Sequence, residues 1–169
     1  MWFVQPRKRN SKRRRRSPVR RRNSNSQRIV VRESRVHGRG VFARKRIRKG
    51  ARIIEYTGRR ILWTGVPDEL DDHRTYYFGL DNGIEVIDPS INGNEAQWIN
   101  HSCAPNCEAI EDERGRVFIY ALRGIREHEE LSYDYQLELD DDEPINDEAK
   151  RESECFCRSS KCRGTMLKI

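Results

Sequence analysis

Asn100-His101-Ser102-Cys103-Ala104-Pro105-Asn106-Cys107 is the stretch on which the reading of this chain turns. It places an amide, an imidazole and two thiols close together, and two later segments answer it. Glu130-Leu131-Ser132-Tyr133-Asp134-Tyr135 carries two tyrosines at period two, which puts them on one face of a strand. Cys155-Phe156-Cys157, followed by Cys162, supplies three more thiols in a C-x-C-x4-C spacing. Structural zinc takes four ligands in a closed site, so these three are one short. Cys103 or Cys107 has to supply the fourth, and the chain end must then fold back onto the Asn100 strip. Five cysteines is an odd number and nothing else points to an oxidising compartment, so thiolate–metal chemistry is favoured over disulfides.

Around these motifs the chain reads as short β-rich segments. Ile29–Arg32, Arg52–Tyr56, Thr75–Leu80, Ile84–Ile87 and Val117–Leu122 are strand-like in composition. Asp81-Asn82-Gly83 predicts a hairpin turn of type I′, because Asn and Gly accept positive φ. Glu113-Arg114-Gly115 predicts another tight connection. Pro67–Arg74 and Asn94–Ile99 have room for one or two helical turns each. No long amphipathic stripe and no internal repeat is present, so the fold class is mainly β with short helices.

Charge is distributed unevenly over the 169 residues. The net charge is +7, yet residues 1–28 hold twelve Lys or Arg and no acid, leaving twenty-two cations against twenty-seven acids in the remainder. A block of like charge with few apolar residues cannot offset chain entropy by burial, so Arg7–Arg22 is expected to be disordered alone. Such an arm binds phosphate through counterion release, which makes residues 7–22 a candidate nucleic-acid contact. Leu137–Glu154 contains nine acids, including Asp140-Asp141-Asp142-Glu143-Pro144, and reads as a mobile acidic linker. The implied division is a basic tail at 1–27, a β core at 28–136, the linker at 137–154 and a cysteine segment at 155–169. Met1-Trp2-Phe3-Val4 is too short for the apolar core of a signal peptide, and no run approaches the roughly 18 apolar residues of a membrane helix. A soluble protein that was not exported through a cleaved signal is expected.

Taken in this order, the three late motifs resemble the SET-domain protein lysine methyltransferases, over roughly Arg28–Ile169. The resemblance implies a β-clip fold in which the Asn-His segment threads beneath the final motif in a pseudoknot-like arrangement. It implies that the C-terminal stretch is a post-SET segment, with one structural zinc held by Cys103, Cys155, Cys157 and Cys162. Cys107 is then a spare, small apolar side chain. Ordering of that segment would bring Phe156, Met166 and Leu167 toward the active site. His37-Gly38-Arg39-Gly40-Val41-Phe42-Ala43 is similar to the first SET motif; alone, a G-x-G is only a turn. By this resemblance the backbone of Gly38, Arg39, Gly40 and Val41 receives the methionine end of S-adenosylmethionine. Asn100 and His101 meet the same cofactor, with His101 near its adenine. Gln97 stands where the family often has Arg, which removes a fixed charge from beside the site.

The same resemblance makes Tyr135 the catalytic tyrosine and Tyr56, in Glu55-Tyr56-Thr57-Gly58, a second one that positions the lysine nitrogen. Tyr133 occupies a position where the family carries Tyr or Phe; a hydroxyl there leaves less room for methyl groups and implies mono- or dimethylation. No Cys-rich pre-SET module precedes the core. Thr75–Asp81 is a candidate edge strand for a substrate peptide. The expected substrate is the ε-amine of lysine in a histone or histone-like basic tail, attracted by the acids of Asp68–Asp72 and Leu137–Glu154. The setting is the nucleus and chromatin, or a bacterial cytoplasm and nucleoid. The competing reading is a non-catalytic, zinc-stabilised module that binds nucleic acid or chromatin.

Overall fold

A computed structural model describes residues 28–66, 77–139 and 144–169. In chain order the strands are β1 (Ile29–Glu33), β2 (Arg39–Ala43), β3 (Arg52–Tyr56) and β4 (Arg59–Leu62). Then follow β5 (Phe78–Gly79), β6 (Glu85–Asp88), β7 (Asn100–His101), β8 (Cys107–Glu111), β9 (Val117–Ala121) and β10 (Ser132–Tyr133). Two 3-10 turns, Trp63–Gly65 and Glu95–Trp98, and one helix, α1 (Asp147–Glu152), complete the described elements.

The strands form several small sheets. β1 and β2 make an antiparallel hairpin, and β9 lies between β3 and β8 in an antiparallel sheet. A third sheet runs β4-β6-β5, leaving β5 at an edge. β7 and β10 pair in parallel, Ser132 beside Asn100 and Tyr133 beside His101. That two-residue contact joins segments about thirty residues apart, and it is the crossing expected of a threaded β-clip. β-branched and aromatic residues dominate the inner strands because such side chains pack well on a pleated surface. Ile53, Ile99, Val117, Ile119, Ile125, Leu131 and Leu167 are all buried in one core.

Turn chemistry differs from expectation at one point. Gly83 has φ +66° and its N–H donates to the Leu80 carbonyl at 3.0 Å, but Asn82 keeps a negative φ. The hairpin is therefore a type I turn followed by a left-handed glycine, not type I′. The reason is local. Asn82 Oδ1 accepts from the N–H groups of both Ile84 and Glu85, at 2.9 and 3.0 Å, which satisfies the turn through a side chain. Gly115, at φ +70°, closes the expected Glu113-Arg114-Gly115 connection between β8 and β9. Asn94 caps the 3-10 turn at Glu95–Trp98 through the Ala96 N–H, where a helical turn was expected.

Leu137–Glu154 is more structured at its ends than its acid content suggests. Leu137 is buried and bridges Leu167, while its N–H donates to the Met166 carbonyl at 3.1 Å. Asn146 caps α1, acids occupy the first turn and Lys150 and Arg151 the last, which suits the helix dipole. Ala149 and Ser153 are buried beneath it. The span behaves as a docked strap at both described ends rather than a free linker, because three small or apolar residues among the acids find a core to sit on. Residues 140–143 lie outside the described residues, as do the basic tail 1–27, the helical expectation at Pro67–Arg74, the Asp68–Asp72 acids and the first two residues of the Thr75–Leu80 strand, of which Phe78–Gly79 forms β5.

Ile119 sits fully buried on β9, the central strand of its sheet. Ile119→Ala is expected to cost about 2–5 kcal/mol of stability. A urea titration followed by far-UV circular dichroism measures this as a lowered midpoint with unchanged slope.

Candidate active site and metal centre

The Sγ atoms of Cys103, Cys155, Cys157 and Cys162 all lie within 4.8 Å of one another. A tetrahedral zinc with bonds of about 2.3 Å requires S···S edges of about 3.8 Å. Cys103 Sγ and Cys155 Sγ are 3.7 Å apart and no pair exceeds 4.8 Å, so the cluster has the dimensions for one zinc. Backbone N–H groups of Arg163, Cys157 and Gly164 point at the sulfurs of Cys103, Cys155 and Cys162 at 3.3–3.4 Å, an arrangement that favours thiolates. Burial raises the pKa of Cys103 and Cys155. At Cys157 burial acts in the same sense, but hydrogen bonds from backbone N–H groups and neighbouring thiols outweigh it and bring the thiol to about 6. Cys107 takes no part. It is fully buried on β8, its thiol is pushed up to about 12 by that burial, and it donates to Asn106 Oδ1.

Beside the cluster, three consecutive functions run off one short thread. Asn100 Nδ2 donates to the Arg39 carbonyl at 2.9 Å and to Glu130 Oε1 at 2.8 Å, tying β7 to the start of β2. His101 is buried; its Nδ1 accepts the Tyr135 N–H at 3.1 Å, and its Nε2 lies 3.3 Å from Cys103 Sγ. Those partners define the tautomer: Nδ1 is the acceptor, so Nε2 carries the proton and faces the sulfur. Burial holds His101 near a pKa of about 4 despite the pull of Asp134, so the imidazole is neutral. Asp134 forms a bidentate pair with Arg163, both contacts at 2.8 Å. Burial works against that carboxylate, but the guanidinium outweighs it and holds the pKa below the usual range. The pair clamps the cysteine segment onto the strand that carries the tyrosines.

The tyrosines form a continuous aromatic cluster. Ring centroids are 5.0 Å apart for Tyr56 and Phe78, 6.4 Å for Phe78 and Tyr133, and 5.0 Å for Tyr133 and Tyr135. His101 closes the series edge-on to Tyr135 at 5.3 Å. All four aromatic side chains are nearly inaccessible. β10 ends at Tyr133, so Tyr135 lies beyond the regular strand, yet the two rings still meet. The Tyr135 hydroxyl donates to the Ile99 carbonyl at 2.8 Å.

On the other side of Tyr135 lies a half-open cleft of about 230 Å³. Its walls are Val36, His37, Asn100, His101 and Tyr135 from the β core, and Arg151, Glu152, Glu154, Cys155, Phe156 and Met166 from the C-terminal segment. Phe156 is 53 % exposed there, an aromatic face with no packing partner over it. The donor set suits a ligand with a flat apolar ring and polar ends: one aromatic face, one thioether, an amide and carboxylates.

The structure thus brings Tyr56, Tyr133, Tyr135, Asn100, His101 and the four metal-site cysteines together. Val36 and His37 reach the cleft wall, whereas Val41 is fully buried with its carbonyl accepting the Leu131 N–H. Gly40 leaves room for the Glu130 carboxylate, since a Cβ there would meet Glu130 Oε1 at 2.2 Å and displace it. The Arg39 guanidinium lies over the Trp98 ring at 4.7 Å, a cation–π contact beside Gln97. Leu167 is buried in the core and does not wall the cleft; Phe156 and Met166 do. Of Tyr77 and Phe78, only Phe78 joins the aromatic cluster, because Tyr77 packs with Val66 and Val86; Tyr76 lies outside the described residues.

Sequence reasoning missed Glu130, Asn106, Asp134 and Arg163. Glu130 accepts from Ser34 Oγ at 2.7 Å as well as from Asn100, and Asn106 Nδ2 donates to the Glu130 carbonyl at 2.7 Å. The only signal was position: Glu130 and Asp134 sit in the motif that carries Tyr133 and Tyr135, Asn106 in the Asn100 stretch, and Arg163 directly after Cys162.

Residues 38–136 match the SET domain family. The chain belongs to that family. It is 35% identical over 144 residues to histone-lysine N-methyltransferase 2B of Homo sapiens, covering 80% of this chain and 5% of that protein. Trithorax of Drosophila virilis, also named a histone-lysine N-methyltransferase, is 37% identical over 143 residues, 80% of this chain and 4% of that protein. Set-2 of Caenorhabditis elegans, named likewise, is 36% identical over 146 residues, 80% of this chain and 9% of that protein. Among solved structures, KRYPTONITE in complex with mCHG DNA and SAH superimposes with a TM-score of 0.65 at 29% identity, covering 82% of this chain and 29% of that chain. The chain therefore spans less than a tenth of the length of these curated relatives. All three relatives are animal proteins, and they lend no support to a bacterial setting.

Cys103→Ser removes the one thiol of the four-cysteine cluster contributed by the β core. Metal analysis by mass spectrometry is expected to show zinc falling from one per chain to a small fraction. Limited proteolysis should then cut within residues 144–169 while the β core persists, since zinc binding supplies roughly 10 kcal/mol toward ordering such a segment.

Proposed function

We propose that this SET-domain chain transfers a methyl group from S-adenosylmethionine to the ε-amine of lysine in a basic protein tail, a histone or histone-like one. The single observation that carries the proposal is that Tyr135 belongs at once to the cleft and to the buried aromatic cluster. A cofactor seated in the cleft and an amine held among the rings would meet at that residue, end to end.

S-adenosylmethionine, when bound, supplies an electrophilic methyl on a sulfonium; the protein supplies alignment, desolvation and a neutral amine. Lysine has a reference pKa near 10.4, so only roughly four molecules in ten thousand are neutral at pH 7. Tyr56, Phe78, Tyr133 and Tyr135 would surround the amine with rings, and removal from water disfavours its charged form. Tyr56 and Tyr133 are assigned to positioning the nitrogen. Tyr135 is assigned the catalytic role, its hydroxyl being held by the Ile99 carbonyl. Asn100 and His101 hold the cofactor together with the backbone around His37–Arg39, and Phe156 offers its open face to the adenine. The four cysteines hold one structural zinc, and through it the far wall of the cleft. The division into a core at 28–136 and a post-SET segment at 155–169 follows from these roles, with 137–154 as the strap between them.

The edge position of β5 supports docking of the substrate by strand addition. Histone-lysine methyltransferase relatives support a histone substrate and a chromatin, nuclear setting, with the basic arm at 7–22 as a nucleic-acid contact. A non-catalytic zinc module is disfavoured, because it has no use for a buried tyrosine cage opening onto a cleft.

Isothermal calorimetry with S-adenosylmethionine, followed by mass spectrometry of histone peptides, tests the proposal. Binding and methyl addition on lysine are expected; no cofactor binding by zinc-loaded protein would end it. Tyr135→Phe should lower the methylation rate by about 100-fold or more, as loss of alignment at a reacting centre does. For Tyr133, the hydroxyl is assigned the role of limiting methyl accommodation. Wild-type protein should then yield mono- and dimethyl-lysine, and Tyr133→Phe should shift early products toward higher methylation.

A further inference from the structure

The segment from the end of β2 to the first residue of β3 reads Arg44-Lys45-Arg46-Ile47-Arg48-Lys49-Gly50-Ala51-Arg52, six cations in nine residues with no acid. All six are exposed. Among the described residues none of Arg44, Lys45, Arg46, Arg48 and Lys49 has a carboxylate partner, although cations elsewhere do, such as Arg59 on Asp88, Arg116 on Asp112 and Arg163 on Asp134. Unpaired like charges repel, so a loop of this kind is ordinarily loose. Here it is pinned. Ile47 is buried, and Ile47 and Ile125 exchange both backbone hydrogen bonds at 2.9 Å. Gly50 N–H donates to the Ala121 carbonyl at 2.7 Å, and Arg44 N–H to the Arg28 carbonyl at 2.7 Å.

Two shallow grooves flank the pinned loop and share Arg46. One is lined by Arg28, Lys45, Arg46, Ile47, Arg48 and Ala51, the other by Arg46, Gly124, Ile125, Arg126 and Glu127. Glu127 is the acid within this surface; nearby Glu129 is already engaged by Arg123. None of the lining residues is aromatic. Single-stranded nucleic acid is held by stacking bases on aromatic rings, whereas a duplex backbone needs only fixed positive charge.

We propose that Arg28, Arg44, Lys45, Arg46, Arg48, Lys49 and Arg126 form a rigid docking surface for the phosphate backbone of duplex DNA, read without base specificity. The surface is distinct from the arm at 7–22, but Arg28 is the residue through which that arm joins the fold. It also lies at the opposite end of β2 from the cleft motif at Arg39, about 14 Å along the strand. Duplex bound there would hold the chain beside a DNA-associated basic substrate. Methylation of that substrate rests on the function proposed above; the docking surface does not.

Fluorescence anisotropy with a labelled duplex of mixed sequence, titrated over a salt series on the full chain, tests the surface. The variant K45A/R46A/R48A/K49A is compared in two backgrounds, the natural arm and an arm carrying R13A/R14A/R15A/R16A. Removing one cation that neutralises a phosphate should lower the slope of log affinity against log salt by about 0.9, so a fall of roughly 2–3.6 is expected in both backgrounds. The charge-conserving variant K45R/R46K/R48K/K49R should restore binding, which separates an effect of charge from one of misfolding, and zinc content should equal that of the natural protein. An unchanged slope and affinity in the arm-substituted background overturns the proposal. So does tighter binding of the natural chain to single-stranded oligothymidine, or to phosphatidylserine vesicles, than to duplex. None of these readouts depends on methyl transfer, so failure here and failure of the enzymatic proposal are distinguishable.

Discussion

Everything at the candidate site depends on two residues of parallel strand pairing. β7 and β10 touch only at Asn100–Ser132 and His101–Tyr133, yet that contact sets three groups in register with three separate parts of the chain. Asn100 reaches back to the first hairpin, His101 faces Tyr135, and Cys103 faces the C-terminal thiols. A slip of one residue would reverse the faces of this thread. It would send the imidazole away from the Tyr135 N–H and leave the metal cluster with three ligands. Parallel pairing is less stable per residue than antiparallel, and two residues of it cannot persist alone. The hydrogen bonds of Asn100 and Asn106 to Glu130, together with the Asp134–Arg163 clamp, supply the missing constraint.

That dependence explains which features were legible in the sequence. The cysteine cluster could be read, because thiols in C-x-C-x4-C spacing have few alternative uses and a fourth had to come from elsewhere. The tyrosine pair could be read from period two, although β10 stops after Tyr133 and Tyr135 lies beyond the regular strand. Hairpin positions were legible from Gly and Asn, but the turn type was not, since the deciding interaction is a side-chain bond from Asn82 to two amides beyond it.

What could not be read were pairings between distant polar residues. Asp134 and Arg163 are ordinary charges until the zinc segment folds over the strand. Glu130 looks like a surface acid until Gly40 leaves it a place to sit. Composition also misjudged 137–154, because a segment dense in acids was weighed by its average. Leu137, Ala149 and Ser153, three residues of eighteen, hold both described ends in place. Anchoring of a strap is set by where its few buried side chains fall, and charge counts average that information away.

The cleft follows from the same economy of contacts. One wall belongs to the β core and the other to a segment that reaches it through Cys103, Arg163 and Leu137. Neither wall is complete without the other, so a ligand that touches both binds only the docked form and stabilises docking by mass action. The metal acts in the same direction from the opposite side, since its four thiols are together only when the segment is home. Zinc and cleft ligand are therefore coupled through one equilibrium, the docking of residues 144–169. Their coupling is reciprocal by thermodynamic necessity. His101 lies at the junction of the two, with one ring nitrogen toward a metal-site sulfur and the other toward the Tyr135 backbone, so displacement of Cys103 would be felt directly by the tyrosine at the base of the cleft.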